Sequence, residues 1–273
     1  VDLILIYDAH HDSRSDGEKP LEAPVYYSRL AQKFLTAISA KMPDGSLYKV
    51  DMRLRPSGKN GPVATSLTAF VKYQENDAWM WERLAFTRAR VVCGNDNLKI
   101  LLNSFRSKLL NKNLNQHKVF SDIVLLRERI SKSYIEVQDF PWDIKKGVGG
   151  VFDLQLLGQG CALMFNIESY DTNAHISALS KLDDWSSYDA KKLLRLYFLM
   201  FRLNQIFALI GDYKDLDLVE TKLGRDFVLR ETGSNSINEL KLELGSLRKS
   251  ADEMITAKLK ATIKDNKVGF ENE

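Results

Sequence analysis

The chain has 273 residues, of which 44% are hydrophobic and 27% are charged, and its net charge is +3 at pH 7. This composition is that of an ordinary soluble globular protein, the length favours two domains, and the charge is too small to indicate a nucleic acid or a membrane as partner. The cysteines, Cys93 and Cys161, exclude a disulfide framework and fit the reducing cytoplasm, where we expect the protein to be located.

The N-terminal segment reads as a β-strand from its first residues. Asp2–Asp8 encloses a nearly continuous apolar run, which is typical of a strand that is buried on both faces of a sheet. Because Val1 is no initiator and the strand begins at once, we expect the chain to be a fragment of a longer protein. The polar stretch Ala9–Ala23 follows, and there a solvated surface loop is favoured over a metal or substrate loop.

A helix and a second strand are predicted next. Pro24–Met42 has apolar residues at helical spacing after a proline that suits a first helical turn. In Tyr48–Pro56 charged and apolar residues alternate, and this period of two predicts a half-buried strand. Strand, helix and strand in succession indicate a small α/β unit, in which Asp2 and Asp51 lie on neighbouring strands.

The charged face of the second strand is a candidate binding site. It carries Asp51, Arg53 and Arg55, a carboxylate beside two guanidinium groups. Charged residues on the inner half of a strand are costly unless something charged lies opposite them. The set suits a metal–polyphosphate complex, in which the carboxylate binds the cation and the arginines bind phosphate oxygens. An edge strand with a solvated charged face is the alternative.

A second concentration of arginine follows. A short helix is expected over Ser66–Tyr73 and a longer one over Ala78–Val92, capped by Asn76 or Asp77. Arginine fits wherever a polyphosphate or carboxylate is held by a planar fork, although a helix docked by its aromatic side chains, with ion-paired arginines, is the alternative. Five residues share one face of the longer helix, with Arg88 apart from them: Trp79, Glu82, Arg83, Phe86 and Arg90.

The chain is predicted to be helical after Gly94, so we expect two domains, residues 1–94 and residues 95–273. The most apolar run, Leu193–Leu203, is interrupted by Arg195 and Arg202, and no membrane span is expected. Helices are predicted near residues 97–111, 117–137, 151–168, 174–181, 187–211, 214–224 and 236–264.

A glycine-rich loop stands out in the helical half. Gly149 and Gly150 directly precede a predicted helix, and Lys145 lies just before them. Backbone N–H groups at such a helix start can approach an anion, which the positive end of the helix dipole also attracts. A capped connection between two helices is the alternative, in which Asp153 of the first turn would simply complement the dipole.

Three motifs, taken in order, resemble one bacterial enzyme family. They read V-D-M-R-L-R-P-S-G-x-x-G-P from Val50, A-W-x-W-E-R-x-A-x-T-R-A-R from Ala78 and D-I-K-x-x-x-G-G-x-x-D from Asp143. The family is the bifunctional glutamine synthetase adenylyltransferase/adenylyl-removing enzyme, and the similarity covers roughly residues 1–160. The resemblance implies an α+β fold: a polymerase-β-type nucleotidyltransferase α/β domain, truncated at its N-terminus, followed by an all-α helical bundle.

The resemblance also implies a metal site. Asp2 matches the second carboxylate of the family's Gly-Ser-Asp-x-Asp motif and Asp51 matches a third, so both would be catalytic ligands of two Mg²⁺ ions, with ATP as substrate. The first carboxylate would lie before Val1, and we therefore expect this fragment to be inactive by itself. Gln155 stands where the family usually has Glu, and an amide cannot serve as a charged ligand or base. Nucleotide contacts are implied for Arg53, Arg55, Arg83, Arg88, Arg90, Lys145, Gly149, Gly150 and Asp153.

The activity implied by the resemblance is the transfer of AMP from ATP to a tyrosine of glutamine synthetase, which regulates nitrogen assimilation. The wording of the tryptophan–arginine motif favours the adenylylating half of the enzyme. Two alternatives stay open. One is the adenylyl-removing half, which releases the AMP by phosphorolysis; the other is a non-catalytic fragment that docks glutamine synthetase or the PII signalling protein.

Overall fold

The computed structural model describes residues 1–43, 45, 49–111, 114–135, 142–210 and 221–268. Within these ranges the chain is mostly helical, with a small parallel sheet of two strands. This content is compatible with the predicted α+β class. The polymerase-β type of the first domain stays a prediction.

The strands are short and the helices are long. The strands are β1 (Leu5–Tyr7) and β2 (Ala64–Ser66), and 3₁₀ turns occur at Gly58–Asn60 and Ala178–Lys181. The helices are α1 (Ala23–Ile38), α2 (Leu67–Asn76), α3 (Met80–Phe86), α4 (Asp96–Leu110), α5 (Gln116–Ile135), α6 (Val151–Met164), α7 (Thr172–Ser177), α8 (Ser187–Ile210), α9 (Lys222–Thr232) and α10 (Ile237–Val268).

The chain forms two compact units. The first comprises Val1–Arg83 and Arg90–Leu109, and the second comprises Leu84–Ala89 and Leu110–Glu273. The domain boundary that the sequence predicts near residue 94 stays a prediction. Each unit is described below by itself.

The first unit has its small core between the sheet and α1. β1 and β2 run parallel, and Tyr7 and Ala64 are buried with the apolar residues of α1. Tyr27 of α1 stacks on Tyr7, with ring centroids 4.4 Å apart. Offset or parallel stacking of this kind adds to the burial of both rings. This core packs β1 against α1, and Asp2 lies three residues before β1.

The strand predicted over Tyr48–Pro56 is wrong beyond Asp51. Asp51 forms an isolated parallel bridge with Asp2, and the backbone then turns, because the Arg55 N–H donates to the Met52 carbonyl at 3.2 Å. The alternation of charged and apolar residues in this segment therefore does not mark the two faces of a strand. The first residue of the predicted range lies outside the described residues.

The arginine-rich helix is shorter than predicted. α2 extends to Asn76, with Asp77 as its C-cap, so neither residue caps the next helix. Beyond α3 the N–H groups of the next residues bond to carbonyls three residues back, a tightened turn that ends the helix. Arg88 and Arg90 therefore lie beyond the helix, and the shared face predicted for this segment ends at Phe86.

The second unit is organised around α6, which contacts α5, α7 and α8. Its buried residues lie around most of the helix rather than on one stripe, as expected for a core helix. Glycines permit the close packing: a Cβ on Gly158 would lie 3.1 Å from the Cβ of His175 in α7, and one on Gly160 would lie 2.5 Å from Cδ1 of Ile123 in α5. A larger side chain at either position would push these helices apart.

The predicted helices of this unit are largely found, with different ends. α6 ends at Met164, four residues earlier than predicted, and the predicted helix over 174–181 is α7 followed by a 3₁₀ turn. The predicted helix over 214–224 falls mostly outside the described residues. The described helix there is α9, whose first turn is capped by the Thr221 hydroxyl and whose C-cap is Gly233 at φ 75°.

α8 is long and apolar enough to cross a membrane by length and composition, with a mean hydropathy of 1.5 over its most apolar window. Of that window, 39% is buried inside the protein. The buried side includes Leu193, Leu196, Met200 and Leu203 at helical spacing. Packing of this side within the unit is a physical reason for the apolar composition.

The N-terminus of α8 is tied to α10 by an ion pair. Lys258 Nζ donates to Asp189 Oδ2 at 2.8 Å, and both the N–H and the hydroxyl of Ser186 donate to the same oxygen. These bonds, that of Lys258 foremost, lower the pKa of Asp189 to about 2. About a fifth of the Asp189 side chain is exposed, so solvent screens the pair only in part.

We expect this ion pair to make stability depend on acid pH. The pKa of Asp189 is lower in the folded than in the unfolded protein, so the pair stabilises fully above about pH 4 and loses its effect as the pH falls toward 2. Asp189→Asn should remove about 1–2 kcal/mol at pH 7 and flatten the pH dependence of the unfolding free energy, measured with urea. Asp183→Asn, at an exposed neighbour, is the control; equal slopes for wild type and Asp189→Asn would contradict the assignment.

Candidate active site

Asp2 and Asp51 lie side by side, as predicted. The Leu3 N–H donates to the Asp51 carbonyl at 2.9 Å, and the Asp51 N–H donates to the Val1 carbonyl at 2.8 Å. Neighbouring strands are about 4.8 Å apart and directly paired residues point to the same face, so both carboxylates leave the same side of the bridge. Asp2 is exposed and Asp51 is half-buried.

Arg53 accompanies this pair of carboxylates. Its backbone N–H donates to Asp51 Oδ1 at 2.8 Å, and its Nε donates to Asp51 Oδ2 at 2.7 Å. The side-chain bond from Arg53, followed by the backbone bond, lowers the pKa of Asp51, and Asp51 in turn raises the pKa of Arg53. The two residues thus keep a carboxylate ionised and place a cation next to it.

Arg55 holds the loop that follows. Its three guanidinium nitrogens donate to the carbonyls of Gly61, Met52 and Lys59, each at 3.1 Å. Ser57 adopts a left-handed conformation at φ 60° within this loop. Since these bonds engage the guanidinium with the protein backbone, the structure gives Arg55 a supporting place in the loop, and its predicted contact with a phosphate stays a prediction.

The tryptophan–arginine motif forms the start of α3, which is hydrogen-bonded to α2. The Glu82 carboxylate, 4% exposed, accepts the Trp79 N–H at 2.9 Å and the Tyr73 hydroxyl at 3.0 Å. A glutamate in the first turn that bonds back to the preceding N–H is half of a capping box. Arg83 Nη2 donates at 3.5 Å to the last carbonyls of α2, those of Gln74 and Glu75. Arg88 and Arg90 are exposed, and their predicted nucleotide contacts stay predictions.

The glycine-rich loop uses its backbone donors within the protein. The Gly149 N–H donates to Asp153 Oδ2 at 2.9 Å, and the N–H groups of Gly150, Val151 and Phe152 donate to loop carbonyls at 2.8 to 3.1 Å. These are the backbone N–H groups that the sequence predicts to bind an anion. Lys145 is exposed at the edge of this loop. The described geometry is that of a capped helix connection.

The paired glycines allow α10 to approach the loop. Gly149 has φ 65°, and a Cβ on it would lie 2.2 Å from the Arg248 carbonyl oxygen of α10. A Cβ on Gly150 would lie 2.6 Å from the Gly147 carbonyl oxygen. Arg248 Nε also donates to the Val148 carbonyl at 3.2 Å. Close backbone packing therefore explains both glycines.

Asp153 belongs to a charge network that the sequence did not reveal. Arg127 Nη2 of α5 donates to Asp153 Oδ2 at 3.1 Å and to Asp252 Oδ1 of α10 at 2.7 Å. The Arg127 side chain is 12% exposed and that of Asp153 is 11% exposed. No local pattern could have indicated this network, because its members are 26 and 125 residues apart in the chain.

Among the described residues, no group of three or more histidine, cysteine and acidic side chains is arranged to hold a metal ion. Asp2 and Asp51 are a pair. Mg²⁺ is usually held by one or two carboxylates together with water and substrate phosphates. The pair therefore fits part of the donor set of such an ion.

Comparison with known proteins agrees with the motifs. Residues 1–104 match the family model described as glutamate-ammonia ligase adenylyltransferase. The chain is related to this family. The resemblance inferred from the three motifs is thus confirmed.

Several relatives carry the name bifunctional glutamine synthetase adenylyltransferase/adenylyl-removing enzyme. The Brucella suis protein is 44% identical over 164 residues, which are 60% of this chain and 16% of the relative. The Rhizobium meliloti protein is 42% identical over 165 residues, again 60% and 16%. The Rhodopseudomonas palustris protein is 38% identical over 185 residues, which are 67% and 18%. The matched part of the chain thus spans less than a fifth of the length of these relatives.

We expect Arg127→Met to destabilise the second unit by roughly 3 kcal/mol, because the carboxylate of Asp153, which is 11% exposed, would lose its cation and Asp252 would lose an ion-pair partner. The measurement is the free energy of unfolding in urea at pH 7. Arg129→Met is the control, since Arg129 is exposed two residues further along α5. Equal losses in the two variants would show that Arg127 does not hold the unit together.

We expect Gly149→Ala to cost more stability than Gly233→Ala. Both glycines have positive φ, so both variants incur the left-handed penalty of about 1–2 kcal/mol. At Gly149 the new Cβ would also meet the α10 backbone, whereas at Gly233 it would meet no atom within 4 Å. Thermal unfolding of both variants tests this, and similar melting temperatures would contradict the packing explanation.

Proposed function

We propose that this chain supplies part of a nucleotidyltransferase site that transfers AMP from ATP to a tyrosine of glutamine synthetase. The observation that carries the proposal is the Asp2–Asp51 pair with Arg53 beside it. The pair lies within the stretch that matches the adenylyltransferase family model. The names of the relatives supply the acceptor, glutamine synthetase.

The proposed first domain is of the polymerase-β type. In that arrangement carboxylates on adjacent strands hold Mg²⁺, and Asp2 and Asp51 are the residues that would do so here. Bound metal ions would neutralise charge on the ATP phosphates and activate the attacking oxygen. A second Mg²⁺ would be held with the further carboxylate that the resemblance adds to Asp2 and Asp51.

The residues of this chain would prepare the site in two ways. The side-chain hydrogen bond from Arg53 stabilises the ionised form of Asp51, as the lowered pKa of Asp51 indicates, and Arg53 would bring a positive charge near the phosphate oxygens. Arg55 and the turn that it holds keep Arg53 in register with Asp51. The proposal assigns further nucleotide contacts to basic residues of the other two motifs: Arg83, Arg88, Arg90 and Lys145.

The adenylyl-removing half is the second candidate, because the relatives are named for both activities. The reactions can be told apart by their products. Adenylyl transfer consumes ATP and labels glutamine synthetase, whereas phosphorolysis of adenylylated glutamine synthetase consumes phosphate and releases ADP. Docking of glutamine synthetase or PII without catalysis would give neither product.

The metal site is tested on this chain by Mn²⁺ binding, measured by calorimetry. We expect Asp51→Asn to weaken binding at least tenfold, about 1.4 kcal/mol, without a loss of thermal stability. Asp16→Asn, at an exposed loop residue, is the control and should bind as wild type does. Unchanged affinity in Asp51→Asn would refute the metal role. Transfer itself is assayed with labelled ATP on a protein that carries these residues together with the additional carboxylate.

A further inference from the structure

A groove in the second unit lies between the C-terminal part of α5, the loop before α6 and α10. Its cavity volume is about 430 Å³. This is the size range of clefts that hold small molecules. Its lining residues do not include Asp2, Asp51 or Arg53.

Cations from three elements line the groove. Lys132 comes from α5, Lys146 from the glycine-rich loop and Lys260 from α10. All three are exposed, and their ammonium groups take part in none of the hydrogen bonds or ion pairs found among the described residues. Three like charges around one concave surface repel each other, and an anion between them would relieve that repulsion.

The acidic residues of the groove are largely engaged. Asp153 and Asp252 share the Arg127 guanidinium, which lies against the same cavity. Glu128 is the further carboxylate of the lining and is exposed. The lysines therefore outnumber the carboxylates that an incoming anion would meet outside the Arg127 network.

The chemistry of the lining favours a phosphate ester. An ammonium group binds phosphate as a compact point charge, without the planar fork that arginine offers to carboxylates. Apolar side chains, among them Val124, Val148 and Leu259, line the same groove and could cover the organic part of a ligand. Since the loop's N–H groups are already bonded, contact with the anion would be made by side chains.

We propose that this groove binds a small phosphorylated ligand through Lys132, Lys146 and Lys260. The sequence pointed to Lys145 as the loop's phosphate contact, whereas the lysine that lines the groove is Lys146. Binding at this groove is inferred from its lining and not from the proposed transfer of AMP, and it is expected to occur without Mg²⁺.

Binding is tested on the whole chain with inorganic phosphate and with phenyl phosphate, by calorimetry at constant ionic strength and without divalent metal. We expect both to bind, phenyl phosphate more tightly, because its ring can lie against the apolar lining. Lys146→Ala and Lys260→Ala should each weaken binding at least fivefold. Lys249→Ala removes the same charge from an exposed position of α10 that does not line the groove, and should bind as wild type does.

Three results would overturn the proposal. The first is that phosphate and phenyl phosphate bind no more strongly than chloride at the same ionic strength. The second is that Lys249→Ala weakens binding as much as the groove variants do. The third is that Lys146→Ala and Lys260→Ala both bind with the affinity of the wild type. Loss of binding in Lys145→Ala alone would likewise overturn it and would return the phosphate contact to the edge of the loop. Circular dichroism of each variant, compared with wild type, ensures that affinity is measured on folded protein.

Discussion

The guanidinium of Arg127 joins three helices of the second unit. It lies between Asp153 at the start of α6 and Asp252 of α10, while its own helix is α5. Asp153 in turn accepts the Gly149 N–H, so the glycine-rich loop is anchored to the same charge network. A largely enclosed cation shared by two carboxylates tolerates little displacement, because Arg127 and Asp153, which are 12% and 11% exposed, would each be left as a poorly hydrated charge. The packing of α10 on the loop depends on this constraint.

The packing of α10 against the loop gives the glycine-rich motif a structural explanation. A loop with paired glycines before a helix resembles a phosphate-binding turn, and the physical requirement for glycine is real. Here it arises from the approach of the Arg248 backbone to Gly149. The positive φ of Gly149 and the bonded N–H groups belong to a helix connection. The side chain of Lys146 from this loop lines the groove, together with lysines from two helices.

In the first unit the position of the candidate metal ligands depends on a few backbone hydrogen bonds. One pair of backbone hydrogen bonds brings Asp2 and Asp51 together, and the chain turns immediately afterwards. That turn allows Arg53 to bond to Asp51 through both its backbone and its side chain. On a continuing strand, residues two apart share a face but their backbone groups point to neighbouring strands. The turn thus brings Asp51 and Arg53 into a close ion pair, whereas on a strand these residues would be further apart.

The sequence by itself indicated the resemblance to the adenylyltransferase family, the helical character of the described residues beyond Gly94 and the pairing of Asp2 with Asp51. The resemblance is carried by three motifs, and the helices and the first strand follow from the periodicity of neighbouring residues. The sequence misjudged the length of the second strand and of the arginine-rich helix, because periodicity shows neither the turn that the Arg55 side chain holds nor the tightened turn that follows Phe86. Only the tertiary structure placed Arg127 between Asp153 and Asp252 and gathered three lysines around one groove. Each arrangement includes residues more than a hundred positions apart, such as Arg127 and Asp252, and side chains meet over such separations only through the packing of helices.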